Sequence, residues 1–138
     1  MVHGEQEQRF YHGFYGDYCY LPMYLYCGQH PLAVKLRSSN IDGAMGAVEF
    51  LEPVVAQLRE EWPQVRILIR GDSGFCRWRM LSWCERHGID YIVGIAQNKR
   101  LNASTAQLQR DAEHCFAELG STVRWFTEVH YAARSWDH

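Results

Sequence analysis

The 138-residue sequence predicts a mixed α/β domain, and three observations carry that prediction. Val65, Ile67 and Ile69 alternate with Arg66, Leu68 and Arg70, the period-two pattern of a strand at least half buried, and the run stops at Gly71. Upstream, Met45, Val48, Leu51, Val55, Leu58 and Trp62 recur every three or four positions, which is the spacing of one helical face. Downstream, a shorter helical pattern leads into DYIVGIA, Asp90 to Ala96, a second apolar strand.

The elements follow in order. Residues 9 to 16, RFYHGFYG, are aromatic and punctuated by glycine, which predicts an extended segment or turn. Over Tyr18 to Cys27 a strand is expected, with Tyr18, Tyr20, Tyr24 and Tyr26 on one face and Leu21, Met23 and Leu25 on the other. Both faces are apolar, so burial of both is expected. Pro22 forfeits a ladder hydrogen bond and belongs at a bulge or with its nitrogen turned from a partner. Gly28 to His30 turn the chain into Leu32, Val34 and Leu36, completing a hairpin with a half-exposed second strand.

Ser38 to Gly43 carry cap and turn residues, and a helix is expected from about Ala44, with a kink or break at Pro53 and an end at Trp62 and Pro63. After the strand to Gly71, a helix from about Arg77 to His87 turns Met80, Leu81 and Cys84 inward and is closed by Gly88. The strand at Asp90 to Ala96 is continuously apolar and is expected to be internal. Ser104 or Thr105 is expected to cap a helix through Phe116 and Leu119, closed by Gly120, before a last strand over Val123 to Ala132.

Fourteen Lys and Arg against sixteen Asp and Glu leave a formal charge of −2, so no global basic field marks a nucleic-acid binder and any DNA contact must be local. Hydrophobic residues make up 47%, too many for a disordered chain, and no apolar run approaches the roughly 20 residues of a membrane span. The opening MVHGEQEQRF lacks the basic-then-apolar pattern of a signal peptide. Five cysteines form no Cys-x-x-Cys pair and leave one unpaired under any disulfide scheme, which fits a reducing, cytoplasmic setting. Cys84 with His87, and His114 with Cys115, have ligand types, but buried thiols acting as small hydrophobes are the preferred reading over zinc.

The chemistry concentrates at RGDSGF, Arg70 to Phe75. Asp72 stands at the carboxyl end of a strand, where open α/β sheets place ligands, between glycines that allow close approach. A carboxylate there suits a hard divalent cation. A turn in which Asp72 and Ser73 merely cap the next helix accounts for the same residue types. Gly-Asp-Ser-Gly also surrounds the reactive serine of chymotrypsin-like proteases, which would make Ser73 a nucleophile; the strand-to-helix context here argues against it.

The order of hairpin, helix and strand ending in aspartate resembles the ribonuclease-H-like core of DDE transposases from bacterial insertion sequences. The runs HGEQEQRFYHGFYGDYCYLP (His3 to Pro22), RSSNIDG (Arg37 to Gly43), RGDSGFCR (Arg70 to Arg77) and HGIDYIVGIAQNKRL (His87 to Leu101) are similar to the group 1 DDE domain. The resemblance implies an α/β, ribonuclease-H-like mixed sheet with flanking helices, residues 1–98 forming part of the catalytic core and 99–138 opening an insertion. It implies Mg²⁺ or Mn²⁺ held by two aspartates and a glutamate, with Asp72 as the second aspartate. The first is expected on a core strand upstream of His3 and the glutamate beyond the insertion, so the core is expected to be incomplete at both ends. Glu113, Glu118 and Glu128 are not assigned that role. DNA is the implied substrate, and a full-length transposase, as a homo-oligomer, an implied partner. Arg70, Arg77, Arg79, Lys99 and Arg100 are candidate phosphate contacts, and the aromatic run Phe10 to Tyr26 is expected to be core rather than a base-stacking surface. A non-catalytic remnant that binds DNA or the intact transposase is the alternative.

Overall fold

The computed structural model describes Glu7, residues 9–134 and Trp136. The beginning of the His3 to Pro22 motif and the last residues of the chain lie outside that set. The chain divides into two compact units, Met1–Gly94 and Ile95–His138.

In the first unit six short strands pair two by two. β1 (Phe10–His12) and β2 (Asp17–Cys19) are antiparallel, with Tyr11 opposite Tyr18 and their rings edge-to-face at 5.8 Å. The amides of Tyr15 and Gly16 both donate to the His12 carbonyl, at 3.1 and 2.9 Å, and close the turn between them. The segment expected to be extended or a turn contains both, as the first strand and turn of a hairpin.

Pro22 ends that hairpin's return strand. With no N–H to give, it splits the single strand expected over Tyr18 to Cys27 into β2 and β3 (Met23–Cys27). β3 pairs antiparallel with β4 (His30–Lys35), with an irregularity between Leu25 and Tyr26. Burial of both faces is not observed. Met23 is buried and Leu25 packs against the core, whereas Tyr24 and Tyr26 are 57% and 56% exposed. Period two puts these pairs on opposite faces, and the core covers only one of them. Tyr11, Phe14, Tyr15 and Tyr18 are exposed as well, so the aromatic run is not core.

α1 (Ala47–Glu61) follows a turn in which the Asp42 carboxylate accepts from the Ala44 amide at 2.9 Å. Ala47, Leu51 and Val55 form its buried stripe, one every four residues; Met45 and Trp62, expected on that stripe, flank the helix and are exposed. Pro53 lies inside a single helix rather than dividing it into two. Its ring points to solvent, so the lost i→i−4 bond is its main cost.

β5 (Leu68–Gly71) and β6 (Asp90–Val93) are parallel, Ile69 beside Tyr91 and Gly71 beside Val93, and α2 (Trp78–Arg86) makes the crossover. Met80, Leu81, Trp83 and Cys84 are the buried side of α2. Gly88 follows its C-cap in the left-handed conformation, as expected from its place in the sequence. β6 is shorter than the run Asp90 to Ala96, and it is not internal: it has one strand neighbour among the described residues, and Ile92 is 57% exposed. Met23, Leu51, Val55, Ile69, Met80 and Cys84 belong to one buried cluster, so β3, β5 and both helices share a core. The elements are those of a mixed α/β domain, but the described strands make three separate sheets instead of one.

In the second unit α3 (Lys99–Leu119) begins five residues before the expected cap. The Asn98 side chain accepts from the amides of Arg100 and Leu101, each at 3.1 Å, and so satisfies donors that Ser104 would have reached too late. Gly120 closes the helix, as expected. No residue of α3 is buried. Val123 to Ala132 form no strand: they have no ladder partner among the described residues, and a lone strand has nothing to bond its edges to.

Candidate metal-binding turn

Asp72 follows directly on β5, in extended conformation, and caps a single 3-10 turn, Ser73–Phe75. Its Oδ1 accepts the Gly74 amide at 2.8 Å, and its carbonyl accepts the Phe75 amide at 3.1 Å. This is the cap geometry that residue type alone allowed, and it leaves the carboxylate exposed at the carboxyl end of a parallel pair. Capping and presentation to a ligand are thus compatible here.

Two glycines shape the turn, Gly74 from within it and Gly94 from outside. A Cβ on Gly74 would stand 2.9 Å from Asp72 Oδ1, and one on Gly94, just past β6, would stand 3.0 Å from the Ser73 nitrogen. The Gly94 amide donates to the Gly71 carbonyl at 3.2 Å, so the parallel pair continues to the base of the turn. A side chain at Gly94 would require the loop that carries Asp72 to give by a few tenths of an ångström.

The turn is also braced by RSSNIDG. Arg37, 9% exposed, donates from Nε to the Leu21 carbonyl at 3.0 Å and from Nη1 to those of Gly43 and Met45 at 3.0 and 2.9 Å. Burial pulls its pKa down, and the nearby Asp42 carboxylate opposes that pull. Ser39 Oγ donates to the Phe10 carbonyl at 2.9 Å, tying the same loop to β1. Asp42 then reaches Arg77, the last residue of RGDSGFCR, across 2.8 Å. The hydrogen bond from Arg77, with a second from the Ala44 amide, holds the Asp42 carboxyl below the usual carboxylate range. Two motifs 27 positions apart at their nearest residues, Gly43 and Arg70, are therefore one bonded assembly. The sequence pattern marked both motifs but gave no sign of the bond, because the partners are far apart in sequence and meet only in the tertiary structure.

The five candidate phosphate contacts divide by what already holds them. Arg77 is bonded to Asp42, and Arg79 is paired with Glu49 of α1. Arg100 lies in the second unit, donating to the Ala132 carbonyl at 3.0 Å with its guanidinium over the Tyr131 ring. Arg70 and Lys99 are exposed, and their side chains make no bond to a described residue. Lys99, like Arg100, belongs to the second unit, whereas Arg70 is on β5, two residues before Asp72.

No group of three His, Cys, Asp or Glu side chains converges among the described residues, around Asp72 or elsewhere. One carboxylate does not make a divalent-metal site, so the described residues alone do not fit the metal that the resemblance implies. Ser73 Oγ has no histidine bonded to it among the described residues, the partner that a serine nucleophile requires. Among the described helices none is long and apolar enough to cross a membrane.

Compared with known proteins, residues 1–138 match the family model for the transposase DDE domain, group 1. No curated protein and no solved structure matches. With the match spanning all four motifs, from His3 to Leu101, the chain belongs to the group 1 transposase DDE domain family.

Proposed function

We propose that this chain is part of the catalytic core of a DNA transposase, with Asp72 as one of the acids that hold Mg²⁺ or Mn²⁺ in the complete, ribonuclease-H-like domain. The observation that carries the reading is the placement of Asp72: an exposed carboxylate just beyond a parallel strand, held in a braced turn by one hydrogen bond from the Gly74 amide with its other oxygen available. In this reading the parent protein cleaves and rejoins DNA in the cytoplasm, acting as an oligomer of full-length chains. No second or third carboxylate converges on Asp72 among the described residues, so the 138 residues alone are expected not to cleave DNA.

Arg70 and Lys99, being free, are the strongest of the candidate phosphate contacts in each unit; Arg77, Arg79 and Arg100 would first have to leave partners. The absence of a converging acid group among the described residues favours a second reading, in which the chain binds DNA or the intact transposase without catalysis.

The test is Asp72→Asn in the full-length parent, assayed for strand cleavage and, separately, for DNA binding. Cleavage should fall to background in Mg²⁺ and in Mn²⁺ while binding stays within a few-fold. Undiminished cleavage would remove Asp72 from the site. For the second reading, pull-down of full-length transposase by the 138-residue chain, with no cleavage by the chain itself, is the expected result.

A further inference from the structure

The hairpin that joins β3 to β4 turns in two residues, Gly28 and Gln29, with Gly28 in the left-handed conformation at φ 60°. The turn brings Cys27 and His30 opposite each other as the closing cross-strand pair. Directly opposed residues project from the same face with Cβ atoms about 4.5–5.5 Å apart, so a thiol and an imidazole stand side by side at the tip. Both residues are exposed, and neither side chain has a hydrogen bond, ion pair or ring contact with a described residue. Cysteine and histidine come within three positions of each other at two more places, and neither offers this. Cys84 is closed off from solvent, and His87 Nδ1 lies 2.7 Å from the Trp83 carbonyl oxygen. His114 Nε2 lies 3.3 Å from a Glu118 carboxylate oxygen, and Cys115, its helical neighbour, faces elsewhere.

We propose that Cys27 and His30 form a two-coordinate site for a soft monovalent cation of the Cu⁺ class. The number of donors selects the ion. Zn²⁺ takes four ligands, at least three of them from the protein, and no third His, Cys, Asp or Glu converges on the pair among the described residues. Cu⁺ favours thiolate and completes its shell with two donors in line. With metal–sulfur and metal–nitrogen distances of about 2.3 and 2.0 Å, the two donors stand about 4 Å apart, within reach of side chains set on opposed Cβ atoms. On binding, the Cys27 thiol gives up its proton to solvent, Sγ bonds the metal, and one imidazole nitrogen of His30 donates its lone pair to the other side. Nothing is oxidised or reduced, and the charge of the tip does not change, one H⁺ leaving as one Cu⁺ arrives. The ligand chemistry is the opposite of that at Asp72, whose carboxylate suits hard cations, so the inference stands whether or not Asp72 takes part in catalysis.

The probe is Cu⁺ itself, offered without oxygen to the 138-residue chain at less than one equivalent, in competition with the coloured chelator bicinchoninate. Cys27→Ser and His30→Gln should each weaken uptake by about tenfold or more, whereas Cys115→Ser should leave it unchanged. His30→Gln decides the matter, because it keeps every thiol of the chain. Undiminished uptake there would mean that sulfur alone binds, and the pair would be overturned. Equal losses in Cys27→Ser and Cys115→Ser would overturn it as well, as would Zn²⁺ displacing Cu⁺, since that ion needs more donors than the hairpin supplies. A second measurement needs no altered chain for its result. In long-range ¹H–¹⁵N spectra of the histidine rings, the His30 signals, identified by their absence from His30→Gln, should move on adding Cu⁺ while those of His87 and His114 stay. His30 signals that do not move would overturn the proposal.

Discussion

Arg37 is a cation held by three backbone carbonyls in a nearly closed pocket, and that arrangement fixes what its loss would do. Arg37→Met keeps the length of the stem but leaves the carbonyls of Leu21, Gly43 and Met45 without their donor, at a cost of about 2–4 kcal/mol in urea unfolding. Arg37→Lys should recover only part, since one ammonium does not span the positions that a planar guanidinium reaches. Asp42 is the opposite case, an exposed acid whose pairing is readable by pH. Its folded pKa is depressed below the ordinary value of 3.8, so its contribution is present above that value and is lost as pH falls through the folded one. Asp42→Asn should therefore destabilise by at most about 1 kcal/mol near neutral pH, as for other exposed pairs. The gap from the parent should close in unfolding curves taken below the folded pKa. Neither role was legible from residue type, because a buried arginine and a turn aspartate look like solvated charges until the fold brings their partners to them.

At the scale of the element, the sequence was most legible where a periodic pattern coincided with a physical stop. β5 ends at Gly71, α2 is followed by a left-handed Gly88, and α3 ends at Gly120, each as its pattern predicts. Misreadings fell where a partner decided the outcome. Asn98 took the start of α3 because its side chain satisfies two orphan amides one turn ahead of the apolar spacing. Val123 to Ala132 have strand-forming residues and no neighbouring strand among those described. The tyrosines of β2 and β3 alternate as a buried face would, yet the core covers the opposite one. Pro53 gives a direct test of how far packing overrides propensity. It is exposed inside α1, so Pro53→Ala removes a helix breaker without disturbing the buried stripe. It should raise the stability of the chain by about 1–3 kcal/mol, read as a shift in the denaturation midpoint at unchanged slope.

For the molecule as a whole, the turn that carries Asp72 was legible in sequence while the state of the sheet was not. RGDSGF placed Asp72 at a strand end without any coordinates, whereas only the structure revealed that β3 and β5 are not joined by any described strand. Charge is a whole-chain property too. With a net charge of −2 and Arg70 and Lys99 as the free candidate cations, binding of the chain to duplex DNA should be weak and mostly electrostatic. Raising salt from about 50 to about 200 mM should abolish most of a mobility shift, and a sequence-selective shift that survives would contradict this. The buried residues, finally, are unevenly shared between the two units. Every one of the described side chains that is closed off from solvent, from Met23 to Ile89, lies in the first. A gene interrupted anywhere after the codon for Gly94 would still encode that entire set.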